Sequence, residues 1–195
     1  MDESAQAFRG HMQRAISLLN LHIQYQEGAN DPDFLKKLRM RMELLAEALP
    51  LAMRASDREA TIAETFAAAE QIVARIYDPE ARNACEYFIE ARSIDQPVLA
   101  PLGQIFAEFL SNIYSRAAPD SPPRRVAATF RAVGGRAVLS VRDALPASVA
   151  QARPLDQLTS RVISELARSL GGEARFDGES IGEAELTFPL AALSR

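Results

Sequence analysis

The sequence predicts an α+β protein: an N-terminal helical hairpin followed by an α/β sandwich with a mostly antiparallel sheet. Three observations predict it. Residues 3–56 carry apolar side chains at four-three-four spacing in two limbs separated by a turn signal, the pattern of helices that each bury one stripe. From about residue 58 the chain alternates between helical and strand periods, as a layered α/β structure requires. A glycine pair, Gly134-Gly135, separates two alternating runs and marks a tight hairpin.

In the first limb Phe8, Met12, Ala15 and Leu19 form the stripe, which continues through His22 to Gln26. In the second, Phe34, Leu38, Met42, Leu45, Leu49 and Met53 keep the rhythm. Between them Gly28 can end the first helix, and Asp31 can cap the second with Pro32 at its first position. Pro50 is expected to kink or weaken the last turn. Leu18, Leu21, Ile23 and Tyr25 lie partly off the stripe, and two helices alone rarely make a stable core. Two hairpins from two chains would make a four-helix bundle. A homodimer through residues 3–56 is therefore expected, with residues 1–57 as the dimerisation hairpin and 58–195 as the sandwich domain.

In the second part, "TIAETFAAAEQIVARIY" (61–77) reads as a helix and "NACEYFIEAR" (83–92) as a strand. The apolar residues of "IFAEFLSNIYSRA" (105–117), namely Ile105, Phe106, Phe109, Leu110 and Ile113, recur at helical spacing, and "PDSPP" breaks the chain after them. Residues 125–132 and 136–143 alternate as a hairpin, Val126, Ala128 and Phe130 against Ala137, Leu139 and Val141. "ALPASVAQARP" has no regular pattern. A helix near 155–170 ends in Gly171-Gly172, and "EARFD" and "EAELTFPL" supply two closing strands.

The 195 residues are 48% hydrophobic and 25% charged, which is ordinary globular composition for one domain or two small ones. A net charge of −4 and a pI near 5.3 provide no general basic footprint for nucleic acid. The lone cysteine, Cys85, excludes an internal disulfide framework and fits a reducing compartment. Its strand-like flanks favour a buried structural thiol over a nucleophile. The opening "MDESAQAFRG" lacks the apolar core of a signal peptide, and no apolar run approaches the roughly 20 residues of a membrane span. A cytoplasmic protein with no nucleic-acid or membrane partner is expected. No metal-ligand spacing, serine-histidine-aspartate constellation or nucleotide-binding glycine fingerprint stands out.

Two polar residues disturb the helix at 105–117. Glu108 and Asn112 are four apart and share one face. A carboxylate and an amide so placed are either a solvated or capped polar stripe or two groups presented to one cavity. The flanking segments favour the cavity. "PLGQIFAEFLSNIYSRA" is similar to the asparagine-containing box of bacterial histidine kinases, and "SLLNLHIQ" (17–24) to the part of their first helix that follows the phosphoacceptor. "GGRAVLSVRDAL" is similar to the strand leading into their aspartate-glycine box, and "LTSRVISELARSLGGEARFD…GEAELTFPL" to the closing helix and strands. In this order, over nearly the whole chain, these segments resemble the transmitter core of a histidine kinase: a dimerisation hairpin plus an ATPase domain of the histidine kinase, gyrase and Hsp90 type.

The resemblance places Glu108 on the family's glutamate, Asn112 on its magnesium-binding asparagine and Asp143 on its adenine-reading aspartate. In a magnesium-ATP site the carboxylate positions water or acts as a base, and the amide oxygen ligates the hard cation beside the phosphates. The departures argue against a working site. Asp143 is followed by Ala144, Leu145, Pro146 and Ala147, where the family needs glycines to turn closely around the nucleotide. The second glycine-rich turn is replaced by "RPLDQLTSR", in which Pro154 lacks an N–H and Asp156 would face anionic phosphates. Of the basic or histidine residue that ends the asparagine box, only Arg116 remains a candidate, and the ATP lid is short. No cofactor is expected, only a vestigial Mg-ATP site.

The family's phosphoacceptor register falls on Gln6, which cannot carry a phosphoryl group. The chain has two histidines, His11 and His22. His11 stands about 140° around the helix from Gln6 and has Arg9, Gln13 and Arg14 near it but no carboxylate within a turn. It is the one candidate phosphoacceptor, against a plainer role as a solvated helix residue; His22 falls on the seam as a packing residue. The basic run "KKLRMRM" (36–42) reads as a solvated face, with Glu27 and Glu43 available for pairing. With Arg9, Gln13 and Arg14, its Lys36 and Lys37 would meet an acidic partner. The resemblance names that partner class: response-regulator receiver domains, whose active site is a carboxylate cluster. It implies a non-ATP-binding adaptor or pseudokinase of two-component signalling, with a stand-alone histidine phosphotransferase relaying phosphate as the alternative. Enzymatic activity would be phosphotransfer at most; an active ATP-dependent kinase is the least favoured reading.

Overall fold

The computed structural model describes residues 32–54, 61–90, 96–116, 122–144, 155–176 and 182–190. The first limb of the hairpin, its turn and the stretch at 145–154 lie outside the described residues. Nine elements follow in order: α1 (Pro32–Arg54), α2 (Ile62–Tyr77), β1 (Ala84–Ile89), α3 (Gln96–Tyr114), β2 (Arg125–Val133), β3 (Arg136–Asp143), α4 (Gln157–Ser169), β4 (Glu173–Phe176) and β5 (Glu183–Pro189).

The five strands form one sheet in the order β1-β2-β3-β5-β4. Only β1 and β2 are parallel; the other three pairings are antiparallel. Period-2 alternation puts Val126, Ala128 and Phe130 of β2, Ala137, Leu139 and Val141 of β3 and Ala184, Leu186 and Phe188 of β5 on the buried face. The β2–β3 turn is made by Gly134 and Gly135 at φ of 57° and 78°, the left-handed pair that a two-residue hairpin turn needs.

Helix α2 begins with a reciprocal cap. The Glu64 N–H donates to Thr61 Oγ1 at 3.2 Å, and the Thr61 N–H donates to Glu64 Oε2 at 2.9 Å. Helix α3 is longer than its apolar pattern suggests. It starts at Gln96 and runs through Pro101, which removes one backbone donor. Burial of Val98, Leu99 and Leu102 outweighs that loss. Every residue of α3 from Pro101 to Tyr114 is buried, so α3 is the central helix of the molecule. An aromatic chain runs through this core: Phe66 of α2 stacks on Phe106 of α3 at 4.3 Å between centroids, and Phe130 bridges Phe66 to Phe188 at 6.3 and 6.2 Å.

Helix α1 packs onto α2 and α3, and Met40 and Leu44 enter the same core. The face it buries is Met40, Arg41, Leu44 and Leu45, whereas Met42 of the sequence stripe is 39% exposed and Leu35 is 55% exposed. The backbone stays helical through Pro50 to Arg54. Cys85 is half-buried in β1, and burial pushes its thiol up to about 12, as a structural thiol behaves.

Helix α4 ends in a Schellman motif, Gly172 N–H to the Ala167 carbonyl and Gly171 N–H to that of Arg168, both 2.9 Å. Gly172 also lies against β5: a Cβ there would sit 2.3 Å from the Thr187 carbonyl oxygen and 2.6 Å from Phe188 Cβ. Gly172→Ala is expected to destabilise the protein by about 1–3 kcal/mol through overpacking, read as a lower midpoint in urea denaturation.

Candidate functional site

On a central helix buried from Pro101 to Tyr114 a polar side chain must find a partner, because an unpaired buried charge is costly. Glu108 is 1% exposed. Its carboxylate receives two donors from one edge of a guanidinium: Arg41 Nε donates to Oε1 at 2.5 Å and Nη2 to Oε2 at 3.0 Å. Arg41 comes from α1, in the basic run, and its side chain is only 3% exposed. Burial works to lower the Arg41 pKa, and the Glu108 charge and hydrogen bond more than offset it, leaving it above the ordinary value.

The pair is the centre of a longer network. Arg41 Nη2 also donates to Thr159 Oγ1 at 3.2 Å, and that hydroxyl donates to Asp156 Oδ2 at 2.7 Å. Lys37, one turn before Arg41, pairs with Asp156 and reaches Thr159 Oγ1 at 3.3 Å. Asp156 is the N-cap of α4, its Oδ1 accepting the Thr159 N–H at 2.7 Å. Burial works to raise the Asp156 carboxyl, but the Lys37 charge and hydrogen bonds from Lys37 and Thr159 prevail and hold it at about 2.

Asp143, at the end of β3, is buried in the same way. Its Oδ2 accepts from Arg124 Nη1 at 2.8 Å, with side chains 5% and 2% exposed. Arg124 Nη2 also donates to the Arg116 carbonyl at 3.3 Å, just beyond α3. The two arginine-carboxylate pairs thus meet the chain at Glu108 of α3 and at Arg116 in the turn just beyond it. Asn112, 7% exposed, stands one turn after Glu108 on α3.

Of the residues singled out by sequence, Glu108, Asn112 and Asp143 therefore all lie in or beside the core. Lys37 is not on an open face: its side chain is 11% exposed and turned toward α4. Arg41, in the same run, is buried outright, because α1 lies on the sandwich by this side. Lys36 is exposed, its Nζ 5.6 Å from the Tyr77 ring centroid. Glu43 is paired as the sequence allows, with Arg39 at 2.7 Å and also with Arg75 at 2.6 Å. Gln6, Arg9, His11, Gln13 and Arg14 lie outside the described residues. Sequence reasoning missed Arg41, Arg124 and Thr159. A signal existed for Arg124: period-2 alternation from Val126 puts it on the buried face, where Asp143 stands opposite Val126. For Thr159 there was none.

Among the described residues no cluster of three or more histidine, cysteine or acidic side chains is placed to hold a metal, and no helix is long and apolar enough to cross a membrane.

No protein-family model matches the chain, and no curated protein matches it. Solved structures do. The chain is similar to the blue-light activated histidine kinase EL346 of Erythrobacter litoralis, at 16% identity and a TM-score of 0.65, over 98% of this chain and 61% of that one. It is also similar to the histidine kinase domain of that protein, at 14% identity and a TM-score of 0.63, over 98% and 95% of the two chains. The chain spans 61% of the length of the first of these. At such identities the likeness shows the fold alone, and the fold is of the histidine kinase transmitter type.

Proposed function

From a transmitter-type fold as premise, we propose that this chain is a degenerate two-component signalling protein that docks response-regulator receiver domains without binding ATP. The observation that supports this reading is the internal occupation of the groups a nucleotide would meet. Arg41 holds the Glu108 carboxylate, Arg124 holds Asp143, and Asp156 caps the α4 N-terminus. A guanidinium on Asp143 supplies the donor that an adenine amino group would supply. A carboxylate at a helix N-terminus takes the N–H that would otherwise face phosphate and adds a repelling charge.

Pairing through residues 3–56 into a four-helix bundle fits the same reading, since Leu35 and Met42, seven residues apart on one face of α1, remain 55% and 39% exposed. Gln6, at the family's phosphoacceptor position, favours an adaptor over a phosphotransferase. His11 keeps phosphotransfer as the second reading, because it is a nitrogen nucleophile five residues along the same limb.

Calorimetry with Mg-ATP is expected to show no saturable heat, and incubation with phosphorylated receiver domains to show complex formation without acid-labile phosphate on this chain. Acid-labile label that disappears in His11→Ala would establish the phosphotransferase instead. Micromolar Mg-ATP binding would overturn the internal-occupation argument.

A further inference from the structure

We propose that α1 acts as a latch whose seating is coupled to the first turn of α4, so that displacement of the hairpin is transmitted to the sandwich domain. The coupling runs through one hydroxyl and one carboxylate, those of Thr159 and Asp156. Thr159 is 0% exposed, and its Oγ1 accepts from Lys37 at 3.3 Å and Arg41 at 3.2 Å while donating to Asp156 Oδ2 at 2.7 Å. Two cations of α1 thus polarise the donor that holds the N-cap carboxylate, and chained hydrogen bonds of this kind strengthen one another. The same carboxylate receives the Thr159 N–H at 2.7 Å and pairs directly with Lys37.

Capping α4 and seating α1 are therefore one arrangement of four side chains. Drawing Lys37 and Arg41 outward removes both donors from Thr159, strips Asp156 of its cation and leaves Glu108 charged in the core. By reciprocity, loosening the first turn of α4 weakens the seat of α1 by the same free energy. A second bridge between α1 and the domain, Arg75 to Glu43, is 56% and 26% exposed and touches none of these groups. The latch holds whether or not a receiver domain is the partner that moves the hairpin.

Hydrogen-deuterium exchange on the full chain tests this. Lys37→Gln is expected to speed exchange at least about tenfold in residues 157–163 as well as in 36–45, although the two segments are over a hundred residues apart. Asp156→Asn, which keeps a capping oxygen, is expected to do the reciprocal. The double variant is expected to be no worse than either single, and Lys37→Arg to behave as wild type, whereas Arg75→Gln leaves 157–163 unchanged. Because the Asp156 side chain is 45% exposed, raising salt to about 1 M screens the pair, and both segments of the unaltered protein are expected to loosen together. That titration carries the same test should Lys37→Gln not fold. Loosening confined to 36–45, additive single effects, or segments that respond to salt independently would each overturn the latch.

Discussion

Replacing Arg41 by alanine is expected to cost about 3–5 kcal/mol of folding stability. Glu108 keeps its place on α3, 1% exposed, and its carboxylate would be left charged without the Arg41 guanidinium to answer it. The cost is that of a stranded charge and not of a lost attraction, which determines what the double variant does. Arg41→Met with Glu108→Leu removes both charges and keeps volume, and is expected to recover most of the loss or to exceed wild-type stability. Urea denaturation of the three proteins is the measurement. A loss in Arg41→Ala of no more than about 1 kcal/mol, the range of an exposed pair, would mean that α1 does not seat where the Glu108 contact requires.

Arg124→Ala is expected to be of similar size, again about 3–5 kcal/mol. The guanidinium lies on the buried face ahead of β2, bonded to Asp143 at 2.8 Å and to the Arg116 carbonyl at 3.3 Å. Its loss takes the guanidinium from the buried Asp143 carboxylate and unties the turn after α3 from the end of β3. A built-in comparison sits one residue away on β3. Arg142 pairs with Glu183 at 2.7 Å, with side chains 63% and 40% exposed. The bond is no longer than that of Arg124, yet water screens it, and Arg142→Ala is expected to change stability by about 0–1 kcal/mol. The contrast between the two arginines, read in one denaturation series, isolates burial as the cause. Equal effects at the two arginines would contradict it.

Much of the fold was legible in the sequence because its signals are local. The run at 61–77 announced α2, Gly134-Gly135 the β2–β3 turn and Gly171-Gly172 the end of α4, each through residues close together along the chain. The apolar alternation of β2, β3 and β5 named the buried face of the sheet. The N-terminal extent of α3 was not legible, since Pro101 removes a backbone donor within the helix and only the burial of Val98, Leu99 and Leu102 carries it back to Gln96. The α1 stripe was legible only in part: Leu45 is buried as its spacing suggests, while Met42 is not and Met40, off the stripe, is fully covered.

The candidate site divides along the same line. Glu108, Asn112 and Asp143 were picked out by residue type, spacing and resemblance, and all three are buried. What holds Glu108 was not foreseeable, because an arginine or lysine in a helical basic run reads the same whether it is solvated or folded inward. By itself, then, the sequence determined the kind and order of the described elements and the presence of two carboxylates and an amide at the heart of the domain. Only the tertiary structure decided that Glu108 is answered by Arg41, 67 residues before it, and that Lys37 reaches Asp156, 119 residues on. Periodicity is set by neighbours along the chain, whereas the partner of a buried charge is set by which helices come to lie against each other.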